Sequence, residues 1–260
     1  MILRYLAVAV SAGTMWMALN RPASEAAPKW NRVAANAYLD ARMSSWMHGG
    51  AMEHGTFCIS CHTGLPFALA RGSGAVQEQV IASIEKRVAA WPEVQPYLGD
   101  HGKGLGTEAV INALTLASRD ATTGRLSPTT RHAFDIFWAT QITDGPDAGS
   151  WPWVNFGNEP WEAPDSGYWG ATLAAVAVGT APEGYRREPQ IQHGLALLES
   201  YLNRDAPGQS LLGQLGLLWA DAKLPGLISA DQRRTIVQQV LAKQNADGGW
   251  SSASLLQPSW

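Results

Sequence analysis

The chain has 260 residues, of which 46% are hydrophobic and 16% are charged, and its formal net charge at pH 7 is −3. This length suits one large domain, or a small module joined to a larger one. The weakly acidic balance argues against nucleic acid as a partner, because phosphate backbones attract clustered positive charge.

The first 26 residues have the form of a secretory signal peptide. Arg4 gives a positive start, residues 5–19 are almost entirely apolar, and small residues follow with a cleavage position near Ala26. The apolar core is short for a spanning helix, so an uncleaved N-terminal anchor is the minor alternative and the only membrane contact that we expect. We therefore predict a periplasmic or otherwise exported protein. Cleavage removes two arginines and one glutamate, which leaves a net charge of −4.

The next feature along the chain is a Cys-x-x-Cys-His motif, formed by Cys58, Cys61 and His62, which holds the two cysteines of the sequence. This pattern is the attachment site of a c-type haem. Two thiols add across the haem vinyl groups as thioethers, and the adjoining histidine binds the iron as its proximal ligand. The spacing is expected to place both sulfurs on one side of a single helical turn. We predict one covalent haem c, with Cys58 and Cys61 as attachment residues and His62 as metal ligand.

Three other interpretations of the motif stay open. A redox disulfide of thioredoxin type belongs to a βαβ pattern, which this sequence does not show. A zinc site lacks a second cysteine pair, so its remaining ligands would be scattered histidines. A small structural disulfide is compatible with an exported protein. Haem is favoured because the motif and the export signal agree.

The surroundings of the motif suit a macrocycle but leave its second axial ligand open. Arg71 and Arg42 are candidates for pairing with the propionates. Apolar side chains that can cover the porphyrin faces cluster nearby: Phe57, Ile59, Leu65, Pro66 and Phe67. The candidates for the sixth iron ligand are Met52, His54 and His101, beside an open five-coordinate iron.

Helical periodicity dominates the rest of the chain, and strand alternation is scarce. The amphipathic helices lead into wholly apolar ones, at 166–179 and 210–221, which we expect to be buried on every side. We predict an all-α protein with a haem segment at 27–75 and a helical region at 76–260. Its six clearest helices are predicted at 107–118, 128–142, 166–179, 188–203, 210–221 and 230–245.

Two similar turns follow amphipathic helices. The turn from Gln244 to Trp250 reads Gln-x-x-Asp-Gly-Gly-Trp, and a partial copy from Asp147 ends at Trp151, 99 residues earlier. This pattern resembles the QW motif of the squalene-hopene cyclase and terpene cyclase/prenyltransferase superfamily over roughly residues 105–260. The resemblance implies an α/α-toroid-like array of helical hairpins, in which Gln244 and Trp250 tie a hairpin end together.

No catalytic residue follows from this resemblance. The Asp-x-Asp-Asp acid motif of the cyclases is absent, and the zinc ligands of the prenyltransferases include a cysteine that the haem motif already uses. The nearest acidic positions do not form the acid motif: Asp144, Asp147, Glu159, Glu162 and Asp165. The sequence contains three to four hairpins, fewer than a closed double ring needs, so we expect an incomplete toroid.

Residues 151–169 combine six aromatic side chains with acidic ones. They form either a pocket for an apolar or cationic small molecule or a long connection pinned by aromatic anchors, and we favour the anchors.

Taken together, these features predict an exported monohaem c-type cytochrome that transfers electrons to or from a redox partner protein. The alternatives are a cyclase-like enzyme or isoprenoid-binding protein with structural cysteines, and a helical-repeat interaction module.

Overall fold

The structure, a computed structural model, describes residues 30–49, 52–53, 55–93, 103–158 and 160–256. The predicted signal peptide, His54, His101 and Glu159 lie outside the described residues. Of the described residues 67% are helical and 2% lie in strands, so the predicted all-α class is confirmed. The toroid arrangement stays a prediction.

The described residues form ten α-helices and one pair of two-residue antiparallel strands. The strands are β1 (Met52–Glu53) and β2 (Thr56–Phe57). The helices are α1 (Arg32–Gly49), α2 (Leu65–Arg71), α3 (Ala75–Ala89), α4 (Lys103–Ala121), α5 (Pro128–Ala139), α6 (Gly167–Thr180), α7 (Gln192–Asp205), α8 (Leu211–Lys223), α9 (Ala230–Ala242) and α10 (Ser252–Leu255).

The chain divides into two units, Met1–Tyr38 and Leu39–Trp260. The described part of the first unit is residues 30–38, which include the beginning of α1. The second unit holds the remaining described elements and the hydrophobic core. The predicted division between residues 75 and 76 stays a prediction.

The predicted helix starts are confirmed by their caps. Ser127 begins α5 by accepting a hydrogen bond from the Thr130 amide, with Pro128 in the first turn. Ser229 begins α9 with a capping box, in which Gln232 returns a bond to the Ser229 amide. All six predicted helices are present, with ends that differ by a few residues.

Helix α6 lies at the centre of the core, and its residues from Gly170 to Val178 are buried. Small side chains allow its neighbours to approach closely. A Cβ atom on Gly179 would lie 2.4 Å from the Lys223 backbone, and one on Gly170 would lie 2.2 Å from the Trp153 ring. This confirms burial on every side for residues 170–178. The same prediction for 210–221 is wrong, because Leu211, Leu212, Leu215 and Leu218 are only half-buried.

The second Gln-Trp turn is held by two side-chain hydrogen bonds. The Trp250 indole donates to the Val240 carbonyl at 2.7 Å, and the Gln244 amide donates to the Gly248 carbonyl at 2.7 Å. The indole therefore ties the end of the turn to α9, and the glutamine side chain stabilises the turn through a bond to its backbone.

The first turn has the same pattern of bonds. The Trp151 indole donates to the Phe137 carbonyl at 2.7 Å, and the Gln141 amide donates to the Gly149 carbonyl at 3.3 Å. In both turns the indole acceptor lies four residues before the glutamine, and the amide acceptor lies two residues before the tryptophan. Gln141 is thus the counterpart of Gln244, which the sequence comparison missed because four more residues separate it from its tryptophan.

The first turn predicts a large effect of substitution at Gly149. This residue has φ +101°, and an added Cβ would lie 2.1 Å from the Leu197 carbonyl oxygen of α7. Gly149→Ala should lower the free energy of unfolding by about 2–4 kcal/mol, through backbone strain and overpacking together. Urea denaturation measures this change.

The matched control is Gly145→Ala, in the same turn, because Gly145 has φ +74° and nothing within 4 Å of an added Cβ. Strain alone should destabilise this variant by about 1 kcal/mol. Equal losses in the two variants would contradict the packing of the turn against α7.

Candidate functional site

The side chains of Cys58, Cys61 and His62 line one cavity of about 210 Å³. Neither cysteine forms a disulfide; Cys58 is half-buried and Cys61 is buried. The other walls come from α1, from α4 and from residues 154–162, and they are largely apolar. The apolar side chains that line the cavity are Trp46, Ile59, Ile111, Val154 and Phe156. The three residues predicted from the motif are therefore brought together in space.

A tight chain reversal shapes the motif. Ser60 has φ +66° and begins a π-helical turn, Ser60–Gly64, that carries Cys61 and His62. Cys58 precedes this turn, so the expectation that one helical turn carries both sulfurs is wrong, although both side chains reach the same cavity. Glycine is required at position 64, because a Cβ there would lie 1.8 Å from the Ile59 carbonyl oxygen.

Glu108, a carboxylate at the start of α4, lines the same cavity as Cys58, and its negative charge acts on the thiol. Glu108 accepts three charge-assisted bonds from Arg87 of α3, at 2.7 and 2.9 Å from Nη2 and 3.1 Å from Nε, and both side chains are 3% exposed. Arg87 also donates to the Thr56 hydroxyl at 2.9 Å. A buried charge is tolerated when it is paired in this way. The network joins β2, α3 and α4 behind Cys58.

Cys61 and His62 share a second buried carboxylate, Glu162. The negative charge of this carboxylate acts on the Cys61 thiol, and its Oε1 lies 3.3 Å from His62 Nδ1. Asn158 donates to its Oε2 at 2.9 Å. Within the part of the chain that the structure describes, His62 Nε2 forms no hydrogen bond. With Nδ1 as donor to Glu162, the lone pair of the imidazole lies on Nε2.

Both thiols are held in the protonated form. Burial, together with the negative charge of Glu108, raises the pKa of Cys58 from its ordinary 9.0 to about 12. Burial also raises the pKa of Cys61 well above its ordinary value, and here the charge of Glu162 contributes. The pKa of Glu108 is itself raised, because burial outweighs the stabilising charge of Arg87.

Only part of the expected surroundings faces the cavity. Ile59 lines it, whereas Phe57, Leu65 and Phe67 are buried in the core. Arg71, a candidate for a propionate, instead forms a bidentate ion pair with Asp40, at 2.8 and 3.0 Å.

The second axial ligand stays a prediction. His54 and His101 lie outside the described residues, and Met52 pairs through its backbone with Phe57.

Two features of the site were missed by sequence analysis. Glu108 is not part of a recognised motif. The one indication of its role in the sequence is that it is a charged residue at the start of an otherwise apolar helix. Trp46 donates its indole N–H to the Cys58 carbonyl at 2.7 Å and so holds the motif against α1. Glu162 was noted among the acidic residues of the aromatic segment, but nothing in its spacing indicated a contact with His62, 100 residues earlier.

The aromatic segment 151–169 contributes to two different cavities. Phe156 lines the cavity of the motif, whereas Trp151 and Trp153 line a cavity of about 590 Å³ together with Asp147 and Asp165. Both indoles donate to backbone carbonyls, which is the anchoring role that we favoured. A small-molecule ligand in the second cavity stays a prediction.

Two further observations concern metals and membranes. Among the described residues, no three or more His, Cys, Asp or Glu side chains are grouped so that they could hold a metal ion. Among the described helices, none is both long enough and apolar enough to cross a bilayer.

The raised pKa of Cys58 predicts a shifted pH profile for alkylation of the haem-free protein. Thiolate is the reactive form, so a thiol with a pKa of about 12 has a rate that keeps rising tenfold per pH unit well above pH 9. Iodoacetamide labelling of the Cys61→Ser variant, followed by mass spectrometry, measures this rate.

The same variant unfolded in urea is the control, and its rate should level off above about pH 9. By linkage, burial of the neutral thiol contributes stability that is fully present below pH 9 and is lost as the pH rises toward about 12. A folded-state rate that levels off near pH 9 would contradict the burial of the thiol.

The chain matches no protein-family model, and no curated protein or solved structure is significantly similar to it. The candidate site is therefore defined by its own residues and geometry.

Proposed function

We propose that the protein is an exported c-type cytochrome that binds one haem covalently and transfers electrons. Cys58 and Cys61 form the thioether links, and His62 is the axial ligand of the iron. The observation that carries the proposal is that the two thiols and the imidazole of the motif line one cavity, with His62 Nδ1 held by Glu162 and Nε2 left for a metal. When bound, the haem supplies reversible one-electron exchange.

The chemistry of the donor set fits this group. Thioether formation requires two thiols, which Cys58 and Cys61 supply without a disulfide between them, and the cavity walls are mostly apolar. The cavity volume of about 210 Å³ is smaller than the roughly 300–1,000 Å³ of sites that enclose an organic ligand. A macrocycle linked here would therefore extend beyond the cavity, past the exposed Phe156 at its rim.

Each neighbouring residue has a role that follows from its contacts. Glu162 orients the His62 ring and makes it a better electron donor, as carboxylates do for metal-bound histidines. Trp46 fixes the backbone at Cys58 through its indole N–H. Ile59 and Ile111 exclude water from the face on which the thiols lie.

We also propose that the helical region is an incomplete α/α toroid that serves as the scaffold of this site. Two Gln-Trp turns with equivalent hydrogen bonds support a helical-hairpin repeat. The wholly apolar α6 packs against α4 and α8 and alternates along the chain with the amphipathic α5 and α7, which supports it as well.

The proposal predicts covalent haem after expression with a haem-maturation system. The exported protein should be red, should keep its haem in a denaturing gel, and should give the pyridine haemochrome spectrum of two thioethers. Cys58→Ser should shift this spectrum to that of a single thioether, because one vinyl group then stays unreacted.

The double variant Cys58→Ser, Cys61→Ser is the matched control, and its haem should be absent or extractable. A colourless wild-type product, or haem that stays on the double variant in a denaturing gel, would remove the proposal.

A second prediction concerns the reduction potential. Glu162→Gln replaces the negative charge beside His62 Nδ1 with a neutral amide of similar shape. The imidazole then donates less electron density, so the potential should rise while thioether attachment is retained. Spectroelectrochemical titration measures the shift in reduction potential.

Asp165→Asn, a change of the same kind in the same segment but outside the motif cavity, is the control and should leave the potential unchanged. An unchanged potential in Glu162→Gln would show that the contact does not act on the metal.

One observation favours a second candidate, a dithiol–disulfide redox site. Each thiol faces its own buried carboxylate, Glu108 for Cys58 and Glu162 for Cys61, and a carboxylate can accept the proton as a thiol reacts. In the exchange, two thiols and a partner disulfide give the Cys58–Cys61 disulfide and two partner thiols, so atoms and electrons balance.

Titration of the haem-free protein in glutathione buffers tests this candidate. A reversible two-electron transition would support it, and failure to form the disulfide under oxidising conditions would exclude it.

A further inference from the structure

The two Gln-Trp turns are equivalent in their internal bonds but differ in what covers them. Helix α7 packs against the first turn, where the Gln141 amide donates a second hydrogen bond, to the Gly194 carbonyl, at 2.9 Å. The contact is close, because a Cβ on Gly194 would lie 2.7 Å from the Gln141 side chain and 2.7 Å from the Trp138 ring. The first turn is therefore covered by α7, which packs closely against it at Gly194.

Counting from the two glutamines gives the matching positions. Phe134 lies seven residues before Gln141 and is fully buried, whereas its counterpart Val237, seven residues before Gln244, is 42% exposed. Trp151 is 2% exposed, whereas its counterpart Trp250 is 41% exposed.

The remaining matching position shows the same difference. Trp138 packs against the core, whereas its counterpart Leu241 is 56% exposed. Within the described residues, Gln244 donates only to its own turn and has no acceptor that corresponds to Gly194.

Val237, Leu241 and Trp250 therefore form an exposed apolar face, which we name the second-turn face. Val237 and Leu241 lie one turn apart on α9, and the Trp250 indole reaches the Val240 carbonyl of the same helix. Exposed apolar side chains that lie together in this way mark a surface that binds another molecule. The repeat itself indicates the occupant, because the same face of the first turn is covered by a helix.

We propose that the second-turn face binds a helix of a partner protein built like α7. That helix has a glycine whose carbonyl accepts the free N–H of the Gln244 amide and whose missing side chain permits the close approach. It has aliphatic residues one and four positions after the glycine and an aromatic residue seven positions after it, as α7 has in Leu195, Leu198 and Tyr201.

A peptide copy of α7 can serve as the probe for this surface. The peptide covers residues 188–207, is labelled with fluorescein, and is added to the protein as a separate molecule. Short helices are marginal in water, so a lactam between Ala196→Glu and Ser200→Lys, both on the exposed side of α7, fixes the helix. Circular dichroism confirms its helicity before use. Fluorescence anisotropy then measures its binding to the full chain.

The expected result is saturable binding that weakens at least tenfold with Leu241→Lys in the protein. Lysine is well tolerated in the last turn of a helix, so α9 should stay folded, which circular dichroism checks. A Gly194→Leu peptide should also bind at least tenfold more weakly. Val33→Ala, at another exposed apolar residue outside this face and outside the motif cavity, is the control and should bind like the wild type.

Three results would overturn the proposal. The first is a helical peptide that does not bind. The second is binding that Leu241→Lys leaves unchanged, which would place the peptide elsewhere. The third is self-association of the chain that Leu241→Lys abolishes, which would assign the face to a second copy of the protein.

Discussion

The buried carboxylate of Glu162 is the contact on which the chemistry of the site depends. It lies between the Cys61 thiol and the His62 imidazole, and it reaches them from a segment that is 100 residues away in the chain. A carboxylate in this place fixes the orientation of the ring, takes the Nδ1 proton of the imidazole as a hydrogen-bond acceptor, and opposes ionisation of the thiol. The packing of Val154, Phe156, Asn158 and Glu162 against the motif therefore brings distant residues into the cavity.

A second buried carboxylate lies at the other end of the motif. Glu108 lines the cavity with Cys58 and is paired with Arg87, so its charge is compensated within the core. Removing one partner of such a pair leaves an uncompensated buried charge, which is strongly destabilising. Helices α3 and α4 thus supply a paired buried charge that acts on the Cys58 thiol.

The sequence predicted the features whose signals are local. Caps and apolar periodicity located α5 and α9, and the uniformly apolar composition of α6 predicted its burial. The motif identified the three site residues, because their spacing is itself the signal. Features that depend on distant contacts could not be predicted from the sequence. These are the pairing of Glu108 with Arg87, the contact of Glu162 with His62, and the position of Cys58 before the helical turn rather than in it. Gln141 was missed for a related reason, since a four-residue insertion hides a hydrogen-bond pattern that the fold preserves.

We propose that a porphyrin is joined by carbon–sulfur bonds to Cys58 and Cys61. Intact-mass spectrometry of the protein, purified after export from a host with haem maturation, is the decisive experiment. We expect a mass increase of one haem per chain, with both cysteines resistant to alkylation after unfolding. A chain at its unmodified mass, with both cysteines open to alkylation, would contradict it.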